Sequence, residues 1–137
     1  RRDRRTAEEG GVRGFKLNDH FVNDPNNDWK HQGILFGSTF IGYNEYGVSV
    51  DKKDLINRVL LNVYTPTRRG IAMGDTKYLL LFVYGMPTRI VESTTKAGTS
   101  TVYEYKNPAA SNSYLQFALD DKNQYIKSVM LSDRPVK

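Results

Sequence analysis

The spacing of apolar and polar residues changes period along this chain, and the changes mark its elements. From residue 114 to 120 the alternation is strict: Leu115, Phe117 and Leu119 share one side of a strand, Tyr114, Gln116 and Ala118 the other. Residues 125–131 and 55–64 read as further strands, and residues 33–50 carry apolar runs punctuated by Gly37, Gly42 and Gly47. Polar turns separate them at 51–54, 107–113 and 120–123, and residues 92–98 read as a polar loop before a strand over 99–105. One stretch breaks the pattern. Residues 78–84, within the helix expected over 76–84, are apolar without alternation, Asp75 or Thr76 stands in N-cap position, Gly85 follows the last apolar residue and Pro87 lies beyond. These signals predict a helix of about two turns.

Two parts of the chain match each other. Gly14-Phe-Lys-Leu-Asn-Asp19 aligns with Gly70-Ile-Ala-Met-Gly-Asp75, Phe40-Ile-Gly-Tyr43 with Val102-Tyr-Glu-Tyr105, and Ile56, Val59 and Leu61 with Ile126, Val129 and Leu131. The offsets grow from 56 to 62 to 70, so the second copy carries two insertions, one of them the helix. Both apolar trios break alternation at the same place, as a β-bulge in equivalent strands would. The prediction is an α+β domain: an antiparallel β-sheet with one short helix packed on it, built from two degenerate tandem repeats, 14–65 and 66–131. Their apolar sides are expected to close over each other as two β layers. The expected core comprises Ile56, Val59, Leu61, Ile71, Leu80, Leu81, Val83, Leu115, Phe117, Leu119, Ile126 and Val129.

The stretch Gly70-Ile-Ala-Met-Gly-Asp-Thr76, then Tyr84-Gly-Met-Pro-Thr88, Val102-Tyr-Glu-Tyr105, Tyr114-Leu-Gln-Phe-Ala-Leu-Asp120 and Ile126-Lys-Ser-Val-Met-Leu131 resembles the repeat of the β-lactamase-inhibitor-protein-like superfamily. That group includes the outer-membrane assembly lipoproteins of the SmpA/OmlA type. The resemblance covers residues 70–131 well and 14–61 poorly. It implies a short helical segment followed by an antiparallel sheet, with tandem copies joined into one continuous curved sheet. It further implies a non-enzymatic, extracytoplasmic protein that holds a partner with a sheet face and loops. The first copy departs from the pattern in lacking a helix, and the chain has no cysteine for lipidation.

Composition narrows the chemistry. The 137 residues suit one domain; residues 1–13 form a basic arm of five arginines against three acids, expected to be flexible, and domain 14–137 keeps a charge of +3 out of +5. With no cysteine there is no disulfide, thiolate metal site or Cys nucleophile. No apolar run approaches the roughly 20 residues of a membrane span. Asp24, Asn26 and Asp28 begin like a calcium loop, but Trp29 replaces its glycine and Leu35 its glutamate, so an Asx-rich turn is the better reading. His20 and His31 have no recognised ligand spacing, and no phosphate-cradling loop or nucleophile–base pair is present. No catalytic residue, metal ligand or cofactor is predicted.

Tyrosine dominates the aromatics, nine against six Phe and one Trp. Because Tyr, Trp and Arg dominate interface hot spots, the predicted binding residues are Tyr43, Tyr46, Tyr103, Tyr105 and Tyr114 on the non-core face, with Trp29, Arg68 and Arg69 at its rim. The expected partner is another protein. Two rivals are a nucleic-acid-binding module using the basic arm and Tyr-rich sheet, and a self-associating structural subunit adding strands at 36–41 or 62–64.

Overall fold

A computed structural model of the protein describes residues 11–12, 15–21, 31–35, 38–42, 46–61, 66–96, 98–108, 110, 112–120 and 122–136. Strands β1 (Gly11–Val12) and β2 (Phe15–Lys16) pair as a small hairpin. The main body is one antiparallel sheet of eight strands: β3 (His31–Leu35), β4 (Ser38–Gly42), β5 (Tyr46–Val50), β6 (Ile56–Leu61), β7 (Arg89–Thr95), β8 (Gly98–Lys106), β9 (Tyr114–Leu119) and β10 (Ile126–Ser132). The strand order is β3-β4-β5-β6-β10-β9-β8-β7. Each half is a four-stranded meander whose last strand turns inward, and the halves meet where β6 pairs with β10.

That meeting is made by backbone hydrogen bonds, so the expected two stacked β layers are corrected to a single sheet. Its register sets Leu61 opposite Val129 and Val59 opposite Leu131. Both central strands carry a bulge: Asn57 is skipped between the partners of Ser49 and Val50, and Lys127 between those of Leu119 and Ala118. Similar contacts tie each meander to the segment before it. Asn18 N donates to Ile56 O at 2.7 Å and Ile56 N to Asp19 O at 2.8 Å. Gly74 N donates to Ile126 O and Ile126 N to Asp75 O, both at 2.8 Å. Isolated bridges join His20 to Leu55 and Thr76 to Tyr125.

Among the described residues one α-helix, α1 (Lys77–Tyr84), packs on the sheet. The Thr76 hydroxyl accepts from Leu79 N at 3.1 Å, satisfying a first-turn amide, while Asp75 closes the preceding turn on Ala72 N at 2.9 Å. Gly85 stops the helix at φ 78° and ψ −163°, a region only glycine occupies without strain. Its amide donates to Leu81 O at 2.8 Å.

One sheet face carries the core: Val48, Val59, Leu61, Val129, Leu131, Leu115, Phe117, Leu119, Tyr103 and Tyr105, covered by Leu80 and Tyr84 of α1 and by Ile71. Ten of the twelve expected core residues are buried, and Leu81 and Val83 pack partly exposed against them. The rings of Tyr84, Tyr105 and Phe117 form a triangle with centroids 5.4 to 5.8 Å apart. Residues 92–95, expected in a loop, belong to β7. β-branched Thr94 and Thr99 face each other across the hairpin, hydroxyls 3.1 Å apart, and extend the ladder almost to its turn. Of the stretches expected at open edges, 36–41 and 62–64, residues 38–41 lie in β4, which is paired on both sides by β3 and β5, and residues 36, 37 and 62–64 lie outside the described residues.

Candidate docking surface

α1 is an eight-residue helix with a single charged residue, Lys77, so it has no polar face to give to water. The sheet takes Leu80 and Tyr84, one turn apart, and half-buries Leu81 and Val83. The remaining apolar side chains point outward: Tyr78 is 72% exposed, Phe82 87%, and Met86, just beyond the helix, 77%. Leu79, Ile90 on the edge strand β7 and Tyr125 beside the helix start are exposed as well. Large apolar side chains scattered singly need no explanation, but Tyr78, Leu79 and Phe82 follow one another at helical spacing, and Met86 is exposed just past the helix stop.

This ridge stands on a rigid base. The Tyr84 hydroxyl donates to Thr67 Oγ1 at 2.8 Å, and Thr67 Oγ1 also accepts from Ile71 N at 3.2 Å, which locks the turn before the helix to its last residue. The Tyr105 hydroxyl donates to Gly85 O at 2.8 Å. The C-terminal end of α1 is thus held by hydrogen bonds to buried or part-buried groups, and its start is tied to the turn before β10 by Lys77 N, which donates to Gln124 O at 2.8 Å.

The opposite face of the sheet is polar but largely closed. Arg89, Glu104 and Gln116 are direct register partners on β7, β8 and β9. Glu104, only 1% exposed, accepts from Arg89 Nε at 3.0 Å on one carboxylate oxygen and from Gln116 Nε2 at 2.9 Å on the other. The chain returns over this row after β10. Gln116 Nε2 donates to Arg134 O at 3.0 Å, Val136 N donates to Glu104 Oε2 at 2.7 Å, and the Arg89 guanidinium donates to Val136 O. Nearby, burial and then the neighbouring Arg134 lower the pKa of Arg58. At the start of β6 and just before β9 lies a polar cleft of about 370 Å³, lined by Asn18, Asn57, Asn107, Asn112, Asp51 and Asp133 among others. Its carboxylates are already engaged: Asp51 Oδ1 accepts from Lys53 N and Leu55 N, and Asp133 Oδ1 from Arg134 Nε.

The predicted binding residues do not gather into one surface. Trp29 and Tyr43 lie outside the described residues. Tyr46 sits opposite Leu61 in the β5–β6 ladder. Tyr103 and Tyr105 are buried in the core rather than on the non-core face, a correction that register explains: they stand opposite Phe117 and Leu115, so they must share the core side of β9. Tyr114 is half-buried on the opposite face, between Lys106 and Ser132. Arg68 is exposed and Arg69 half-buried in the turn that leads to Ile71. The exposed ridge of α1 was not among the predicted residues, although its signal is plain in the sequence: Tyr-Leu-Leu-Leu-Phe-Val-Tyr cannot all be buried by a helix that presents one stripe to a sheet.

Among the described residues no group of three or more His, Asp or Glu side chains lies close enough to hold a metal ion. No described helix is long and apolar enough to cross a membrane. No family model matches the chain, and no curated protein does. Among solved structures, the chain is similar to a DUF4309 family protein (YjgB) from Bacillus subtilis subsp. subtilis str. 168, at 20% identity and a TM-score of 0.49, over 90% of this chain and 79% of that one.

Proposed function

We propose that this chain is a non-enzymatic protein-binding module, working outside the cytoplasm, whose docking surface is the outward ridge of α1 continued by Met86. The observation that carries the reading is the exposure of Tyr78, Phe82 and Met86 along a helix held at its C-terminal end by Tyr84 and Gly85 and at its start by Lys77 N on Gln124 O. Aromatic and methionine side chains of this kind anchor interfaces, and a pre-ordered helix loses little entropy when a partner covers it. The extracytoplasmic setting rests on the superfamily resemblance; the cysteine-free sequence fits the cytoplasm equally well.

The same reading takes the domain as two copies of one unit. The twinned bridges, His20 with Leu55 and Thr76 with Tyr125, fall at the sequence offsets of 56 and 70, and so do the bulges at Asn57 and Lys127. Helix α1 then belongs to the second copy, so the docking role is a specialisation of that copy. Nucleic acid is the poorer partner: Tyr103 and Tyr105, which would have stacked on bases, are core residues, and the ridge offers phosphate one lysine.

Affinity capture from the native extract with wild type, Tyr78→Ser and Phe82→Ser tests this, at low and high salt. A band retained by wild type at both salts and lost with either variant supports an apolar protein contact. Identical band patterns for all three refute it, and wild-type elution shifting on dilution in gel filtration points to self-association instead.

A further inference from the structure

We propose a second binding site, on the sheet face opposite α1, that takes an extended stretch of polypeptide by its main chain; in this structure residues 134–136 fill it in cis. The site is the row Arg89–Glu104–Gln116. These three residues are aligned by register across β7, β8 and β9, and Met130 of β10 continues the row. Each contact the row makes with the returning segment goes to backbone: the carbonyl of Arg134, the amide of Val136 and the carbonyl of Val136. The Arg134 side chain turns away to Asp133. What is recognised is therefore a pattern of one N–H and two C=O groups.

Glu104 and Arg89 offer one residue of the segment an acceptor and a donor together, as the edge of a strand does. A carboxylate as buried as that of Glu104 needs its hydrogen bonds, since a buried charge without them is costly. Arg89 and Gln116 supply two and the segment a third. An incoming extended chain replaces that third bond like for like, so exchange keeps the row satisfied. Pro135 helps the cis segment compete, because its ring presets an extended φ and it withholds an N–H the row has no use for. The ligand class is an extended peptide with an amide and carbonyl free at one residue and a carbonyl two residues before, tolerant of side-chain identity.

The test uses the full chain carrying Val136→Pro, which removes the N–H given to Glu104 and leaves the row intact. The probe is a fluorescein-labelled peptide, Ser-Asp-Arg-Pro-Val-Lys, followed by fluorescence anisotropy. Saturable binding to Val136→Pro, at least tenfold tighter than to wild type, is expected, since the tethered segment competes at a high effective concentration. N-methylation of the peptide's valine should abolish binding, a scrambled peptide of similar extension should bind within a few-fold, and adding Gln116→Ala should weaken it at least tenfold. Phe82→Ser should leave it unchanged, which separates this site from the α1 surface. No binding to folded Val136→Pro, or equal binding of the N-methylated peptide, overturns the proposal. Amide exchange on wild type gives a test free of substitutions: the Val136 amide should be protected yet exchange at least a hundredfold faster than that of Val129. Equal protection of the two would make the segment a fixed strap and end the idea.

Discussion

The Tyr84 hydroxyl and Thr67 Oγ1 lie 2.8 Å apart, both residues buried, and join the last residue of α1 to a turn 17 positions earlier. The bond holds the C-terminal end of the helix against the core. Tyr84→Phe should lower unfolding free energy by about 1 kcal/mol, the usual net worth of such a bond. Thr67→Val takes away the acceptor of both Tyr84 and Ile71 N, and should cost more, about 1–3 kcal/mol. Urea unfolding of the two variants measures the difference.

Phe117 completes the aromatic triangle with Tyr84 and Tyr105 at the centre of the core. Phe117→Ala should therefore destabilise by about 3–5 kcal/mol, and Leu80→Ala by about 2–5 kcal/mol. A melting temperature within a degree or two of wild type for either variant would contradict the core described here.

Gly85 adopts backbone angles that side-chain-bearing residues avoid. Gly85→Ala should cost about 1–3 kcal/mol, and thermal unfolding will read it. Gly85→Asn should do no better, because ψ lies far from the left-handed helical basin that asparagine tolerates.

Asp51, exposed, and Asp120, half-buried, close equivalent-looking turns. Hydrogen bonds from Leu55 N and Lys53 N hold the Asp51 carboxyl below the usual aspartate range, and the amide of Gln124 does the same for Asp120. A lowered folded pKa favours the folded state above the unfolded value of about 3.9, and that contribution fades as pH drops through the folded values below it. Unfolding curves from pH 7 down to pH 2 should show this loss for wild type. Asp51→Asn with Asp120→Asn should be less stable at neutral pH and should lose less on acidification.

The outward ridge of α1 should behave in the opposite way to the core. Phe82→Ser and Tyr78→Ser remove exposed surface only, so stability should stay within about 0.5 kcal/mol of wild type while partner capture falls.

Much of the architecture could be read from the residues before the structure. The helix limits and its Thr76 cap were legible because cap, stop glycine and proline follow one another in order. The bulges at Asn57 and Lys127 were legible because Ile56, Val59 and Leu61 break a period of two, as do Ile126, Val129 and Leu131. The binding face was not. Alternation in Val102-Tyr-Glu-Tyr105 leaves open which side is the core, and hot-spot preference alone drew Tyr103 and Tyr105 to the surface. Only pairing with β9 decides the side, and it buries the tyrosines while turning Glu104 to the other face. The residues gripping segment 134–136 were illegible for a similar reason: Arg89, Glu104 and Gln116 are remote in sequence and meet only through strand register. The β7–β8 hairpin was partly missed because Glu92-Ser-Thr-Thr95 is polar, as an edge strand facing water often is.

The seam between β6 and β10 has a kinetic consequence. Every other ladder in the large sheet links strands that follow one another along the chain, whereas this one must bring Leu61 to Val129 and Val59 to Leu131 across about half of the polypeptide. Closing so long a loop is slow compared with zipping a hairpin, so docking of the two halves should limit the refolding rate. Shortening Leu61 or Val129 should then retard refolding, while equal damage in the β7–β8 hairpin should mainly hasten the chain's escape from the native state.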